Sequence, residues 1–125
     1  MIFGIGTDII EVNRIEESIK KYGERFLNRV FTPIEIEYCD QFKENKYLHY
    51  AARFAAKESF SKAIGTGITQ GFKFNEIEVQ NQKDGKPFIV LYGGLLEKWG
   101  KFKIEVSLSH TNSNAVAYLV MEYQD

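Results

Sequence analysis

A long helix is predicted to begin near Tyr47 and to include most of the segment from Arg53 to Gly67, and the rest of the chain must pack around it. The segment is rich in alanine and in straight side chains, contains no proline, and ends in glycines that favour helix termination. At about 100° of rotation per residue, apolar and small side chains collect on one side of the helix. These are Leu48, Ala52, Ala55, Ala56, Ser59, Phe60 and Ala63. Such a surface lets another element approach closely, so the segment predicts a tightly covered central helix.

The opposite side of this helix mixes charged and hydroxyl side chains with two aromatic ones. Its members are Tyr50, Arg53, Phe54, Lys57, Glu58, Ser61 and Lys62. A solvated helix face rarely contains two aromatic residues, so the mixture favours the wall of a site or an interface. The alternative is an ordinary exposed face on which Glu58 and Lys62 form a weak ion pair. From this segment alone the two interpretations are equally supported.

The first strand is predicted from Ile2 to Val12. Gly4, Gly6 and Asp8 share one of its faces, and apolar residues dominate the other. Glycine within a strand marks a place where another element lies close to the backbone. An aspartate on an otherwise apolar strand requires a cation, a hydrogen-bond donor or water, unless it only caps a turn at the strand end.

The remaining segments predict an α+β fold. Thr32-Pro33-Ile34-Glu35 carries the signals of a helix start: a capping threonine, a proline at the first helical position and a glutamate at the third. Strand-like patterns follow in residues 74–79, 87–92, 102–108 and 115–123. The 125 residues contain no linker or repeat. We therefore predict a single domain, residues 1–125, in which a largely antiparallel sheet packs against helices from the first half.

Composition and charge narrow the function. The net charge of −1 gives no overall field that would attract nucleic acid or a membrane surface, so neither is expected as a partner. The single cysteine, Cys39, excludes an internal disulfide and is interpreted as a core residue of a protein from a reducing compartment. No signal peptide or membrane-spanning run is apparent, so a cytoplasmic location is expected.

Two isolated carboxylates suggest a metal site. Asp8 and Glu58 occur without thiolates or a histidine cluster, a donor set that favours a hard ion such as Mg²⁺ completed by phosphate oxygens and water. Lys62, Arg53 and His110 could neutralise further phosphates. The sequence has no P-loop, no Gly-x-Ser-x-Gly and no His-Glu-x-x-His motif, which argues against the corresponding nucleotide-binding, esterase and metalloprotease sites.

Three motifs together resemble a known family. They are Gly4-Ile5-Gly6-Thr7-Asp8-Ile9, the block from Phe54 to Ala63 followed by Gly65-Thr66-Gly67, and Ser107-Leu108-Ser109-His110. In this order and spacing they resemble the holo-[acyl-carrier-protein] synthases, the short bacterial type of 4′-phosphopantetheinyl transferase. Ser59 stands where that family is expected to have alanine, which affects none of the proposed catalytic residues.

The resemblance implies a function and a set of roles. Members transfer phosphopantetheine from coenzyme A to a serine of apo-acyl carrier protein, release adenosine 3′,5′-bisphosphate and support fatty acid biosynthesis. They are trimers with active sites between subunits. By motif, Asp8 and Glu58 bind Mg²⁺ and, with Lys62, form the catalytic set. Glu58 is also the candidate base for the serine proton, directly or through a water on the metal, and the sequence cannot separate its two roles.

The same resemblance extends to two binding surfaces. The residues expected to contact coenzyme A are Arg53, Glu58, Ser61, Lys62, Gly65, Thr66, His110 and Thr111. The carrier protein is expected to dock on Arg14, Ser18, Lys21, Arg25 and Phe26, which lie in a locally basic segment of a nearly neutral chain. Acyl carrier proteins are acidic, which fits a basic docking surface. A merely solvated basic face is the alternative for these residues.

Two functions of other classes remain open from the sequence. One is a different enzyme acting on coenzyme A, such as a thioester hydrolase, which would not need a diphosphate-bound metal. The other is a non-catalytic trimeric binding module, in which the carboxylates only pair with interface cations.

Overall fold

The computed structural model describes residues 1–68 and 72–124. The helices are α1 Val12–Tyr22, α2 Glu24–Val30, α3 Pro33–Asp40, α4 Lys46–Ala63 and α5 Gly93–Trp99, with a 3₁₀ turn at Phe74–Glu76. The strands are β1 Ile2–Glu11, β2 Ile77–Asn81, β3 Pro87–Leu91, β4 Lys103–His110 and β5 Asn114–Glu122. The predicted α+β class is confirmed. Among the described residues, no helix is long and apolar enough to cross a bilayer.

The strands form two antiparallel sheets rather than the one that the sequence predicted. β1, β5 and β4 lie side by side in that order, and β2 and β3 form a separate hairpin. In the larger sheet Asp8 of β1 lies opposite Ala117 of β5, which in turn lies opposite Leu108 of β4. The inward faces of β4 and β5 supply Val106, Ala117 and other core residues. α4 packs against this sheet, α1 contacts β1, and α3 packs on α4 and β2.

α4 lies directly against β1 because two glycines of that strand leave room for it. A Cβ atom added to Gly6 would be 1.8 Å from the carbonyl oxygen of Ser59, and one added to Gly4 would be 2.1 Å from that of Ala63. Neither distance is possible for a real side chain. The small side of α4 predicted from the sequence is therefore the side that contacts the sheet.

The alternative interpretation of the other side of α4, an ordinary exposed face, is wrong for most of its length. Tyr50, Arg53, Lys57 and Ser61 are all buried by the protein's own chain. The reason is that α3 and the start of β2 cover this side of the helix, and Lys57 pairs there with the equally buried Glu35 at 2.8 Å. Helical periodicity cannot distinguish a second buried surface from a solvated one when charged residues line it.

Tyr50 in particular is covered by its own chain. Its ring packs edge-on against Phe31, with 4.9 Å between ring centroids, and its hydroxyl donates to Asp40 Oδ1 at 2.7 Å. The aromatic ring that suggested an interface is thus covered within one chain. Phe54, the other aromatic residue of this side, remains half-buried.

The helix start at Thr32 is confirmed as a reciprocal cap. The Thr32 hydroxyl accepts from the Glu35 amide at 3.3 Å, and Glu35 Oε1 accepts from the Thr32 amide at 3.0 Å. The segment before Thr32 forms two helices, α1 and α2, which are separated at Gly23, where φ is 59°.

Candidate active site

Asp8 is held near the end of α4 by Lys62. Asp8 follows Gly6 on the same face of β1, so the close approach of the helix brings the two carboxyl-bearing elements together. Lys62 Nζ donates to Asp8 Oδ1 at 3.1 Å and to the carbonyl oxygen of Thr7 at 2.9 Å. The ammonium keeps a third proton for another acceptor. Asp8 is thus a paired carboxylate and not a turn cap.

Glu58 faces the same position from α4. Burial and the neighbouring charge of Asp8 raise the pKa of Glu58, while Lys62 opposes that rise. Two neighbouring carboxylates repel each other, and a cation bound between them would remove this repulsion. The structure therefore brings together the three residues, Asp8, Glu58 and Lys62, that the sequence analysis placed in the catalytic set.

A cavity of about 560 Å³ extends from this centre. It is lined by Asp8, Ile9, Ile10, Glu11, Arg14, Ile15, Ser18, Phe26, Phe54, Glu58 and Asn114. It joins the carboxylate pair to Arg14, Ser18 and Phe26 of the predicted docking surface. Sequence reasoning placed these two groups separately and missed Ile10 and Ile15 as cavity walls, because each also fits an ordinary core pattern.

The donor set fits a magnesium ion. The carboxylates of Asp8 and Glu58 are hard oxygen ligands that face a common cavity. In the described part of the chain, no group of three or more histidine, cysteine or acidic side chains gathers at one point. Two protein oxygens suffice for Mg²⁺, which usually retains water and takes further oxygens from substrate phosphates.

The profile of the 4′-phosphopantetheinyl transferase superfamily matches residues 4–120 of this sequence. The chain belongs to that superfamily. It is 50% identical over 124 residues to the holo-[acyl-carrier-protein] synthase of Ruminiclostridium cellulolyticum, covering 97% of this chain and 92% of that protein. It is 47% identical over 125 residues to the synthase of the same name from Halothermothrix orenii, covering 98% of both chains.

Solved structures of phosphopantetheinyl transferases share the fold. The Bacillus anthracis holo-(acyl-carrier-protein) synthase in complex with CoA (3′,5′-ADP) superposes with a TM-score of 0.84 at 39% identity, with 99% of each chain covered. The Helicobacter pylori synthase in complex with coenzyme A gives a TM-score of 0.83 at 31% identity, covering 94% of this chain and 99% of that one.

Gly65 and Gly67, which follow α4, use their backbone amides to close the end of the helix. In this phosphopantetheinyl transferase the Gly65 amide donates to the carbonyl oxygen of Lys62, and the Gly67 amide donates to that of Ser61, both at 3.0 Å. These two amides therefore do not point at a ligand. Ser61 is buried and its hydroxyl donates to the Glu58 carbonyl at 2.6 Å, which steadies the last turn. Gly65 and Thr66 themselves are exposed at the protein surface.

Arg53, His110 and Thr111 are not among the residues that line the cavity beside the carboxylate pair. Arg53 is buried, donates to Asn81 Oδ1 at 2.6 Å and stacks over a tyrosine ring. His110 ends β4, and its charge is one of the smaller effects, after burial and Arg53, that lower the pKa of His49 on α4. The Thr111 hydroxyl accepts two amides of the β4–β5 turn. Their contacts with coenzyme A stay predictions.

The raised pKa of Glu58 predicts a gain in stability when the carboxyl group is replaced by an amide. A carboxyl group whose pKa is raised on folding contributes stability below its ordinary value of 4.5 and loses it as the pH rises through the raised value. Glu58→Gln should therefore raise the melting temperature of the metal-free protein at neutral pH, by a margin that shrinks on acidification. Thermal unfolding in chelator across mildly acidic to neutral pH checks this. Equal melting temperatures at every pH would contradict the placement of Glu58 beside Asp8.

Proposed function

We propose that this chain transfers 4′-phosphopantetheine from coenzyme A to a serine of apo-acyl carrier protein in a Mg²⁺-dependent reaction. The observation that carries the proposal is a single cavity lined by both carboxylates, Asp8 and Glu58, with Lys62 paired to Asp8 beside it. The same cavity is lined by Arg14 and Ser18 of the basic helix α1. A metal-phosphate centre and a site for an acidic protein are thus joined in one cleft.

Asp8, Glu58 and Lys62 have different roles in the proposed transfer. Bound Mg²⁺ would be held by Asp8 and Glu58 and would offset the negative charge of the diphosphate. Lys62, fixed by Asp8 and the Thr7 carbonyl, directs its free proton at a phosphate oxygen and stabilises charge on the departing bisphosphate. The bond between the serine oxygen and phosphorus forms while the bond from phosphorus to the bridging oxygen breaks.

Glu58 is the group that takes the serine proton. Its carboxylate faces the cavity that the serine hydroxyl would enter. The proton passes to Glu58 directly or through a water. His110 is proposed to contact the 3′-phosphate, with the exposed Gly65, Thr66 and Thr111 forming the rest of the coenzyme A site. Arg53 and Ser61, which the sequence also placed there, are buried and bonded to Asn81 and to the Glu58 carbonyl instead.

A mass measurement tests this function. The purified protein is incubated with coenzyme A, Mg²⁺ and apo-acyl carrier protein, and the carrier is expected to gain the mass of phosphopantetheine only when the metal is present. A parallel incubation with acetyl-coenzyme A alone tests the thioester hydrolase alternative through release of free thiol. Thiol release without modification of the carrier would overturn the proposal in favour of that alternative.

The carrier protein is proposed to dock on α1 and α2. Arg14, Lys21 and Arg25 are exposed there, with Ser18 and Phe26 half-buried between them. Arg25 and Phe26 also line a second cavity, of about 360 Å³, next to the first. Basic residues around an apolar centre suit an acidic helical partner that inserts a few apolar side chains.

Reversing two of these charges should weaken binding of the carrier selectively. Arg14 and Lys21 lie about two helical turns apart and project the same way from α1. Changing both to glutamate should raise the KM for the carrier about tenfold at low salt, because surface charges steer encounter, and less at high salt. The KM for coenzyme A should stay nearly unchanged. Steady-state kinetics over a salt series checks this.

The matched control reverses Lys98 and Lys101, which are exposed near the end of α5 and change the net charge by the same amount. This control should leave the KM for the carrier near the wild-type value. Equal effects of the two double variants would show that net charge alone, rather than a docking surface, governs the association.

We propose that the protein is a homotrimer, because one face of the larger sheet carries exposed apolar side chains. Ile5, Ile9 and Tyr118 point away from α4 and are 55%, 67% and 47% exposed. They form an apolar surface on adjacent strands, a type of surface that usually marks a protein contact. Copies of this chain are the proposed occupants, because three such sheets can close on one another around a threefold axis.

Disruption of this face should produce monomers. Ile5→Glu combined with Tyr118→Glu buries two charges at the proposed interface without touching the carboxylate site, and light scattering should then report one chain where the wild type shows three. Leu96→Glu is the control, because Leu96 is equally exposed on α5, outside the sheet face. A monomeric wild type with full transfer activity would refute an active site shared between subunits.

A further inference from the structure

Lys57 and Glu35 form an ion pair inside the protein that no step of the proposed transfer uses. Both side chains are fully buried, with 2.8 Å between Lys57 Nζ and Glu35 Oε1. The ammonium also donates to the carbonyl oxygens of Phe74, at 2.8 Å, and of Ile77. Three acceptors occupy all three of its protons. Lys57 therefore ties α4 to α3 and to the start of β2 at a single atom.

Glu35 is itself held in place on both of its oxygens. Oε1 accepts from the Thr32 amide at 3.0 Å, and Oε2 accepts from the Val79 amide at 2.8 Å. These donors belong to the start of α3 and to β2. Because the carboxylate bridges two backbone segments, it cannot rotate freely, and the position of the Lys57 ammonium is fixed with it.

Three successive residues of α4 point at three different parts of the protein. Lys57 is bound to α3 and β2, Glu58 faces the cavity, and the Ser59 hydroxyl donates to the Ala117 carbonyl at 3.2 Å. The Ser59 carbonyl also lies under Gly6. Successive side chains differ by about 100° around the helix axis. Contacts on both flanks of Glu58 therefore oppose rotation of the helix in either direction.

We propose that Lys57 is a positioning residue that sets the direction of Glu58 through its ion pair with Glu35, and thereby the affinity of the site for a divalent cation. The inference rests on the proposed role of Asp8 and Glu58 as metal ligands. Mg²⁺ demands near-ideal geometry, so a small rotation of α4 misplaces one of only two protein ligands. Outer-shell partners of metal ligands typically change metal affinity about 10–100-fold.

The test removes the ion pair without leaving a charge in the core. Lys57→Met with Glu35→Gln replaces both charged groups, and glutamine keeps an oxygen that can accept a backbone amide. The matched control is Glu78→Gln. Glu78 is as buried as Glu35 and accepts from the Thr32 and Tyr92 hydroxyls and from Gln80 Nε2. Its charge attracts Lys57, but it forms no hydrogen bond or ion pair with that residue.

Mn²⁺ binding is measured by electron paramagnetic resonance with coenzyme A present and the carrier protein absent, at a temperature where circular dichroism shows each variant folded. We expect the Lys57→Met/Glu35→Gln variant to bind Mn²⁺ about 10–100-fold more weakly than the wild type. The Mn²⁺ affinity of Glu78→Gln should stay within about twofold of the wild type. This control separates the two explanations, because a general loosening of the core would weaken Mn²⁺ binding in both variants.

Two results would overturn the positioning role: wild-type Mn²⁺ affinity in the folded double variant, or an equal loss in Glu78→Gln. Should the double variant fail to fold, Glu35→Asp keeps the charge but shortens the side chain, and wild-type Mn²⁺ affinity in it would overturn the role. Wild-type Mn²⁺ binding in Asp8→Ala is a separate outcome. It would overturn the metal site itself, and the proposed mechanism with it.

Discussion

Asp8→Ala and Glu58→Ala should each reduce phosphopantetheine transfer by at least about 1000-fold, because metal-ion charge stabilisation is worth several kcal/mol and each tenfold in rate corresponds to about 1.4 kcal/mol. Each variant leaves the cation with one protein carboxylate instead of two. Glu58→Ala also removes the proton acceptor. Both side chains face a cavity, so truncation should leave the core intact.

The measurement is the transfer rate over a Mg²⁺ titration, with circular dichroism to show that the variants are folded. Glu11→Ala is the matched control. Glu11 lies on β1, as Asp8 does, and lines the same cavity, but it is exposed at the end of that strand. It should keep the wild-type metal requirement. An Asp8 or Glu58 variant with wild-type turnover at every Mg²⁺ concentration would show that the residue in question is not a metal ligand.

The elements that the sequence predicted well are those whose signal is local. The reciprocal cap at Thr32 is confirmed because its hydrogen bonds join residues three positions apart. β1 and β4 are confirmed because alternation along a strand records which face is buried. The boundary near Phe74 was less accurate: a 3₁₀ turn occupies Phe74–Glu76, and β2 begins only at Ile77.

The buried polar side of α4 was not predictable in this way. Lys57 pairs with Glu35, which belongs to another helix, and a single sequence gives no indication that the two meet. A fully buried lysine looks the same in a helical pattern as a solvated one. The two aromatic residues of that side were informative, but they indicated coverage by the chain's own α2–α3 region in the case of Tyr50 and a cavity wall in the case of Phe54.

The sequence predicted which residues form the candidate site but not the cavity that joins them. Asp8 and Glu58 were paired through the chemistry of hard cations, and the structure brings them together through the glycines of β1. The continuity of this pair with Arg14 and Phe26 depends on how α1 packs against α4 and β1. That packing is a tertiary feature without a local sequence signal.

Gly6→Ala should destabilise the fold by about 3 kcal/mol or more, at the upper end of what overpacking costs, and lower the melting temperature by roughly 10 °C or more. The added Cβ would lie 1.8 Å from the Ser59 carbonyl oxygen, so β1 and α4 must separate. A backbone oxygen cannot swing away as a long side chain does. The cost therefore cannot be relieved by a change of rotamer.

Separation of β1 from α4 should also impair the site, because Asp8 and Glu58 lie on those two elements. In the folded fraction of Gly6→Ala, the Mg²⁺ concentration needed for half-maximal transfer should rise together with the loss of stability. Gly94→Ala is the control: its Cβ would lie 3.5 Å from Glu76 Oε1, an ordinary contact, and the residue is helical, so the protein should lose no stability and could gain about 0.4–1 kcal/mol. Denaturant unfolding and Mg²⁺ titration of both variants check the two effects. A stable Gly6→Ala protein would mean that α4 does not rest on β1 at this point, and the geometric basis for pairing Asp8 with Glu58 would be lost.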